Sequence, residues 1–295
     1  MLSADVTSLD PERLMAKARS ENFPVASRVL PRTVRGHLLA VYGFARLADD
    51  IGDEAPGDRL VQLDWLASEL RRSIAGNASH PLVKRVGETI QSVGLPLAPF
   101  DDLLEANRQD QVVDRYERLD DLVAYCMLSA APVGRLVLAI WGLATSERLA
   151  LADRVCVGLQ LAEHIGDVGE DARRGRIYLP LADLRAEGCE PADLLAASAG
   201  APLRRVVARE VLEARRFLDA GPALATTLPP RARLALAGFV GGGQAALDAV
   251  VAADHDVLDR SCRPSTWGLL RRALGVLAAA SGREHPSRSP LAVGR

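Results

Sequence analysis

The sequence predicts an all-α protein with a single domain. Apolar residues recur at helical spacing along most of the 295 residues, alternating strand patterns are almost absent, and Pro, Gly and capping residues divide the chain into segments of helical length. No internal repeat occurs, and no shift in composition marks a linker. We therefore predict one bundle of about ten helices over residues 1–281, followed by a disordered tail over residues 282–295.

The helices are predicted from their start and stop signals. Asp10-Pro11-Glu12 has the N-cap, first-position proline and first-turn acid of a short helix. A second helix follows Pro31 and ends near the break at Ala55-Pro56-Gly57, after which Asp58 caps a third. Later helices are predicted over about 81–93, 99–115 and 120–143, the last with a kink at Pro132-Val133-Gly134. A helix beginning at Ser146 carries a cluster of acidic residues near its end. The last helices are predicted over about 203–219, 230–260 and 265–281.

Three consecutive glycines, Gly241-Gly242-Gly243, interrupt the predicted helix over 230–260. Each glycine costs about 1 kcal/mol relative to alanine inside a helix. Their presence predicts that another backbone or a ligand approaches the helix closely at this point.

Composition and charge limit the classes of partner. The net charge is −2 and aromatic residues make up only 4 % of the chain, so a nucleic-acid partner is not expected. No apolar run is expected to reach the 18 or so residues of a membrane span, and the first residues lack the pattern of a signal peptide. A reduced, cytoplasmic protein is predicted, because the cysteines are scattered without ligand spacing: Cys126, Cys156, Cys189 and Cys262.

Two clusters of carboxylates lie on otherwise apolar predicted helices. Glu163, Asp167 and Asp171 are spaced i, i+4, i+8, and Asp49 and Asp53 are spaced i, i+4, so each set shares one helical face. Like charges at this spacing destabilise a helix by about 0.2–0.5 kcal/mol per pair, which predicts a counter-ion. A divalent cation such as Mg²⁺ between the two clusters fits, because it binds carboxylate oxygens and leaves positions for substrate phosphates.

Several motifs resemble the squalene and phytoene synthases. YGFARLADDIGDE is similar to the first acidic motif of that family, and DVGEDARRGRIYLP is similar to the second. Further similar stretches are ENFPVASRVLP at 21–31, RQD at 108–110, Arg115-Tyr116, YCMLSAAPVGRLVL at 125–138 and ALDAVVAADHDVLDRSCRPS at 246–265. ENFPV and SAxPVGRLVL are most similar to the bacterial hydroxysqualene synthase branch.

The resemblance implies a trans-isoprenyl diphosphate synthase (terpenoid synthase) fold, in which helices surround an apolar channel. It also implies that the two acidic motifs bind the substrate diphosphate through Mg²⁺. In the hydroxysqualene branch, presqualene diphosphate and water give hydroxysqualene and diphosphate. Because the product is a lipid, we expect a peripheral contact with the inner face of the membrane, although no anchor is visible. The sequence does not predict the oligomeric state.

The resemblance also implies roles for individual residues. The expected metal ligands are Asp49, Asp53, Asp167, Asp171 and Glu163. The four aspartates, with Tyr42 and Gln160, are the expected catalytic residues. The expected substrate-binding residues are Asn22, Phe23, Arg46, Tyr125, Glu163, Arg176, Tyr178 and Arg260.

Two residues just before the second motif depart from the family pattern. Many relatives have Asn at the position of Glu163 and Arg at the position of Gly166. Two alternatives therefore stay open besides a hydroxysqualene synthase. One is an enzyme that condenses two prenyl diphosphates head to head, and the other is a non-catalytic helical partner of a pathway enzyme.

Overall fold

The computed structural model describes residues 31–258, 262 and 264–283, and the regular secondary structure of this part of the chain is helical. It contains thirteen α-helices and one 3₁₀ helix. Its only strand-like pairing is an isolated parallel bridge between Arg115 and Ile177. The α-helices are α1 Arg32–Asp53, α2 Arg59–Ile74, α3 Pro81–Val93, α4 Ala98–Gln109, α5 Leu119–Ser129, α6 Ala131–Ile140, α7 Ser146–Gly166, α8 Val168–Arg173, α9 Leu181–Ala186, α10 Ala201–Leu218, α11 Ala220–Thr226, α12 Pro230–Ala252 and α13 Thr266–Arg283, and the 3₁₀ helix is Pro191–Leu195. The predicted all-α class is confirmed.

Several predicted helices are shorter than expected or divided. The apolar helix over 120–143, predicted with a kink at Pro132-Val133-Gly134, divides into α5 and α6 two residues earlier, at Ala130, so that Pro132 lies in the first turn of α6. Helix α4 ends at Gln109, six residues before the predicted end. Helix α12 ends at Ala252 and not at 260, because Asp254 and His255 adopt positive φ angles of 51° and 61°.

Several predictions concern residues near the ends of the chain that lie outside the described part. The helix predicted from Asp10, and the residues Asn22 and Phe23, lie outside the described residues, as does Arg260. Helix α13 continues to Arg283, two residues past the predicted end of the domain, and residues 284–295 are not described.

The triple glycine lies inside a continuous helix, so the predicted interruption is wrong and the predicted close approach is confirmed. A Cβ placed on Gly241 would lie 2.6 Å from the backbone nitrogen of Ala273 in α13. A Cβ on Gly243 would lie 2.6 Å from the Leu159 side chain of α7, whereas a Cβ on Gly242 would meet nothing within 4 Å. Gly241 therefore lets α12 and α13 pack with their backbones in contact.

The core forms around the helices that carry the acidic motifs. Phe44 of α1 and Phe100 of α4 are fully buried and meet edge to face, with ring centroids 5.2 Å apart. A second group of buried apolar side chains surrounds the C-terminal half of α7 and includes Leu161 and Ile165. Both acidic motifs are thus placed at the ends of well-packed helices.

Two helical stretches are long and apolar enough to cross a membrane by length and composition, whereas the sequence predicted no apolar run of that length. Leu119–Ile140 has a mean hydropathy of 1.8 and Pro230–Ala252 one of 1.5. In each, 39 % of the apolar window is buried inside the protein, and the first stretch contains the break at Ala130. Core helices of soluble proteins meet the same test, so membrane contact stays a prediction.

Candidate active site

The first acidic motif forms a polar stripe along the C-terminal half of α1. Tyr42, Arg46, Asp49 and Asp53 follow one another at spacings of four, three and four residues, which places them on one face. The first three are half-buried and Asp53 is exposed. The guanidinium of Arg46 lies 2.8 Å from the carboxylate of Asp50, one turn further along.

Helix α4 holds Asp49 in place. The amide of Asn107 donates a hydrogen bond of 3.3 Å to Asp49 Oδ1. A Cβ on Gly52 would lie 2.2 Å from Asn107 Oδ1, so only glycine allows α1 and α4 this approach. Burial raises the pKa of Asp49 to about 7 against the opposing effects of Asn107 and Arg46.

The second acidic motif lies at a joint between two helices and not on one continuous helix, which corrects the prediction. Helix α7 ends at Gly166, Asp167 has φ −104° and ψ 10°, and α8 begins at Val168. Gly166 has a low helix propensity, and the carboxylates of this segment repel one another, which favours a break here.

Asp171 is half-buried in α8, while Asp167 at the joint is exposed. Burial, followed by the nearby Asp167, raises the pKa of Asp171 to about 7. Partial desolvation and the neighbouring Glu170 also raise the pKa of Asp167. Glu163, one turn before Asp167, is exposed. The two motifs together therefore contain carboxyl groups whose charged form is disfavoured without a cation.

His164 lies between the second motif and a group of aromatic rings. Its side chain is buried and stacks on Tyr178 with ring centroids 3.8 Å apart. Burial, with a smaller effect of Arg176, lowers the pKa of His164 to about 3, so the imidazole is neutral. Gln160 Nε2 lies 3.3 Å from Nε2 of His164, and Nδ1 lies 4.0 Å from Asp171 Oδ2. The contact with Asp171 is therefore polar and not an ion pair.

Arg176 joins the two acidic motifs. Its guanidinium lies 2.9 Å from Asp53 Oδ1, although the two residues are far apart in the sequence. The backbone pairing at Ile177 positions it: the Ile177 N–H donates to the carbonyl of Asp114 at 2.8 Å, and Arg115 and Ile177 form the parallel bridge. The chain after the second motif is thereby fixed against the loop that follows α4.

The same pairing assembles three buried tyrosines. The rings of Tyr116 and Tyr178 stack with centroids 5.9 Å apart, and Tyr125 lies 5.4 Å from Tyr116 and 6.0 Å from Tyr178. Together with His164 they form a group that we call the aromatic cluster. It adjoins Arg176 and Asp171, so buried ring faces lie next to the acidic motifs.

Asp110, at the end of α4, connects this cluster to the charged groups. Tyr125 donates a hydrogen bond of 2.8 Å to Asp110 Oδ2. Burial raises the pKa of Asp110 to about 6, with Tyr125 and Arg176 opposing the shift. Asp110 is the last residue of the RQD stretch at 108–110, which resembles the family, but no local pattern in the sequence predicts a role for it.

The donor chemistry of the carboxylates is compatible with a magnesium ion whose coordination shell is completed by water and phosphate oxygens. Within residues 31–258, 262 and 264–283, no three His, Cys, Asp or Glu side chains group closely enough to hold a metal by themselves. Mg²⁺ usually takes one or two carboxylates and completes its shell with water and substrate phosphates, so a protein cage of three ligands is not required. The desolvated carboxyls of Asp49 and Asp171 have the required donor chemistry.

The structure brings together many of the predicted site residues. Arg176 contacts Asp53, Tyr178 and Tyr125 belong to the aromatic cluster, and Gln160 reaches this cluster through His164. The metal-ligand roles of the aspartates and of Glu163 remain predictions. Asn107 and Asp110 were missed, because each acts through a partner on another helix and no local spacing marks it.

An all-α bundle with two acidic motifs joined through an arginine, beside buried aromatic rings, is typical of enzymes that act on isoprenoid diphosphates. The model of the squalene/phytoene synthase family matches residues 16–268. The chain belongs to the squalene/phytoene synthase family.

Individual relatives are similar over most of their length. The hydroxysqualene synthase of Sinorhizobium fredii is 34 % identical over 223 residues, which cover 74 % of this chain and 75 % of the relative. That of Zymomonas mobilis is 37 % identical over 208 residues, or 68 % of each chain. The crystal structure of squalene synthase HpnC from Alicyclobacillus acidocaldarius superposes with a TM-score of 0.76 at 40 % identity and covers 85 % of this chain and 99 % of that one. Membership of this family indicates an enzyme of isoprenoid biosynthesis.

Proposed function

We propose that this protein is a Mg²⁺-dependent enzyme that converts presqualene diphosphate and water to hydroxysqualene and diphosphate. The observation that carries the proposal is the contact between Arg176 and Asp53, because it brings the acidic motifs to one place beside the aromatic cluster. The similarity to proteins named hydroxysqualene synthase supports the choice of reaction.

The proposed division of roles follows from the chemistry of the side chains. Asp49, Asp53, Asp167 and Asp171 would hold Mg²⁺, which neutralises the charge of the departing diphosphate when bound. Arg176 and Arg46 would bind phosphate oxygens, since the guanidinium fork matches them. When the substrate binds, Arg176 would replace part of its contact with Asp53 by a contact with the phosphate oxygens of the substrate.

The aromatic cluster would protect the carbocation that forms when diphosphate leaves. Buried ring faces attract a cation by about 0.5–2 kcal/mol and exclude bulk water. Tyr125 and Tyr178 are less than one-tenth exposed, so their rings are shielded from bulk solvent. Controlled access of one water is what distinguishes hydroxysqualene formation from random quenching.

A condensing reaction is the second candidate function. The solved structure at 40 % identity is named a squalene synthase, and an enzyme of that name needs the same diphosphate and carbocation chemistry. In this alternative the protein would join two farnesyl diphosphates, and the acidic motifs would serve two substrates in turn.

The test is a product analysis with two substrates. Purified protein is incubated with presqualene diphosphate or with farnesyl diphosphate, each with Mg²⁺ or with EDTA, and the organic products and released diphosphate are measured. We expect hydroxysqualene from presqualene diphosphate only, and only with Mg²⁺. Asp167→Ala is expected to abolish turnover with unchanged helicity, which shows that the activity belongs to this chain.

Three outcomes would contradict the proposal in different ways. Presqualene diphosphate formed from farnesyl diphosphate would establish the condensing alternative. Equal amounts of product with EDTA and with Mg²⁺ would show that the reaction does not require the metal. No diphosphate release from either substrate by folded protein would favour a non-catalytic helical partner.

A further inference from the structure

Asp110 is a buried carboxyl outside the two acidic motifs. It caps the C-terminus of α4, and its Oδ2 accepts the hydrogen bond of Tyr125 at 2.8 Å. Its Oδ1 is buried and has no hydrogen-bond partner in the part of the chain that the structure describes. One oxygen thus holds Tyr125, while the carboxylate retains unused capacity to take a proton.

The groups that face Asp110 come from every element around it. Arg176, from the segment after α8, favours its charged form, and Asp53 of α1 disfavours it. Besides Tyr125, the hydroxyl-bearing rings of Tyr116 and Tyr178 lie within electrostatic reach. Asp110 is therefore placed between the charged acidic motifs and the aromatic cluster.

Tyr125 cannot act as a base without help. Burial, with the nearby Asp110 as a further cause, raises the pKa of Tyr125 far above its usual range, so the phenolate does not accumulate. A tyrosine in this setting transfers protons only if it gives up its own proton as it gains another. The carboxylate at 2.8 Å is the group positioned to receive it.

Resting on the function proposed above, we propose that Asp110 is a positioning residue that accepts, through Tyr125, the proton lost by the water that captures the carbocation. The water oxygen forms a C–O bond with the cation and one O–H bond of that water breaks. The released proton binds the phenolic oxygen of Tyr125 while the proton of Tyr125 moves to Asp110 Oδ2. A cation, a carboxylate and a water become a neutral alcohol and a carboxylic acid, which returns its proton to solvent before the next turnover.

The test separates water capture from diphosphate departure. Asp110→Asn keeps the shape and an acceptor oxygen for Tyr125 but cannot take a proton. The measured quantity is hydroxysqualene formed per diphosphate released from presqualene diphosphate. We expect this ratio to fall about tenfold or more, with C30 hydrocarbons from proton loss in its place, since acid–base assistance contributes about 10²–10⁴-fold.

Two further variants accompany the test. Asp114→Asn is the matched control, because Asp114 lies in the same loop with a largely exposed carboxylate that is 3.6 Å from Arg115, and its ratio should equal that of wild type. Tyr125→Phe should lower the ratio as Asp110→Asn does. Should Asp110→Asn fail to fold, as judged by circular dichroism, Tyr125→Phe and the pH profile of wild type decide the question.

The pH profile gives a readout that a merely structural role would not change. In wild type the ratio should fall below about pH 6, where Asp110 is protonated, and in Asp110→Asn it should not vary with pH. Normalising to released diphosphate removes the titration of the acidic motifs from the comparison. An unchanged ratio in Asp110→Asn or Tyr125→Phe, or a wild-type ratio independent of pH, would overturn the inference alone. Wild type that makes no hydroxysqualene would overturn the proposed function and this inference together.

Discussion

Arg176 is the residue on which the geometry of the site depends most directly. Its guanidinium reaches Asp53 on α1, and its charge also acts on Asp110 and Asp171. Because it follows the bend at Gly175 (φ 84°), its position is set by backbone geometry and by the pairing of Ile177. A change at Arg176 should therefore affect the acidic motifs more than the fold.

We expect Arg176→Gln to lower kcat/KM for diphosphate release by roughly 10- to 100-fold, because one charge-assisted hydrogen bond contributes about 1.5–3 kcal/mol. Arg176→Lys should lose less, since it keeps the charge but not the fork. The control is Arg71→Gln on α2, where an exposed Arg71 pairs with Asp101 at 2.9 Å. Steady-state kinetics on the three variants measures the effect, and equal losses at 71 and 176 would contradict a specific role.

The sequence marks candidate site residues where the signal is local. Asp49 with Asp53, and Asp167 with Asp171, are recognisable because identical charges recur one turn apart within a few residues. Asp110 gave no such signal, because its partner Tyr125 is on the next helix. Contacts of this kind depend on how helices meet, which spacing along one helix does not determine.

At the scale of helices, the sequence predicts where helices occur better than it predicts where a helix is interrupted. The apolar periodicity over 120–143 continues across the break at Ala130, because α5 and α6 both bury apolar residues, and the predicted kink at Pro132 locates that break only to within a few residues. The joint at Asp167 is similar: the hydrogen bonds from Asp167 to Glu163 and from Asp171 to Asp167 keep helical spacing across it. Periodicity alone therefore does not show where a helix changes direction.

The contact between α12 and α13 gives a test at this scale. Gly241→Ala is expected to destabilise the protein by about 1–3 kcal/mol, because its Cβ would lie 2.6 Å from a backbone nitrogen and 2.8 Å from the Cα of Ala273. Gly242→Ala is the neighbouring control and should stabilise by about 0.5–1 kcal/mol, since its Cβ meets nothing and alanine favours the helix. Urea unfolding monitored by circular dichroism measures both, and equal effects would show that α12 and α13 are not in backbone contact.

At the scale of the whole molecule, several buried groups make stability depend on pH in opposite senses. The carboxyls of Asp49 and Asp171 have pKa values raised to about 7, so they stabilise the folded state at low pH and lose this contribution as pH rises toward and through 7. His164, with its pKa lowered to about 3, acts in the opposite direction between about pH 3 and 6.5. Above pH 6.5 the imidazole is neutral in both states, so only the carboxyl effect remains there.

Between pH 6.5 and 8 we therefore expect the metal-free protein to lose roughly 1 kcal/mol of unfolding free energy for each such carboxyl. Mg²⁺ with inorganic diphosphate should raise the melting temperature more at pH 8 than at pH 6.5, because protons compete with the cation. Asp49→Asn should raise the metal-free melting temperature at pH 8 and reduce the increase caused by Mg²⁺.

Glu210 supplies the matched control for this experiment. It is 3 % exposed on α10, and burial, reinforced by Asp183, raises the pKa of its carboxyl to about 8. It contacts neither acidic motif in any hydrogen bond or ion pair found among the described residues. Glu210→Gln should therefore raise the metal-free melting temperature at pH 8 as Asp49→Asn does, but leave the increase caused by Mg²⁺ unchanged. If Mg²⁺ raises the melting temperature of Asp49→Asn as much as that of wild type, the cation binds elsewhere. Glu210→Gln controls for the loss of a desolvated charge, because it removes such a carboxyl outside the acidic motifs.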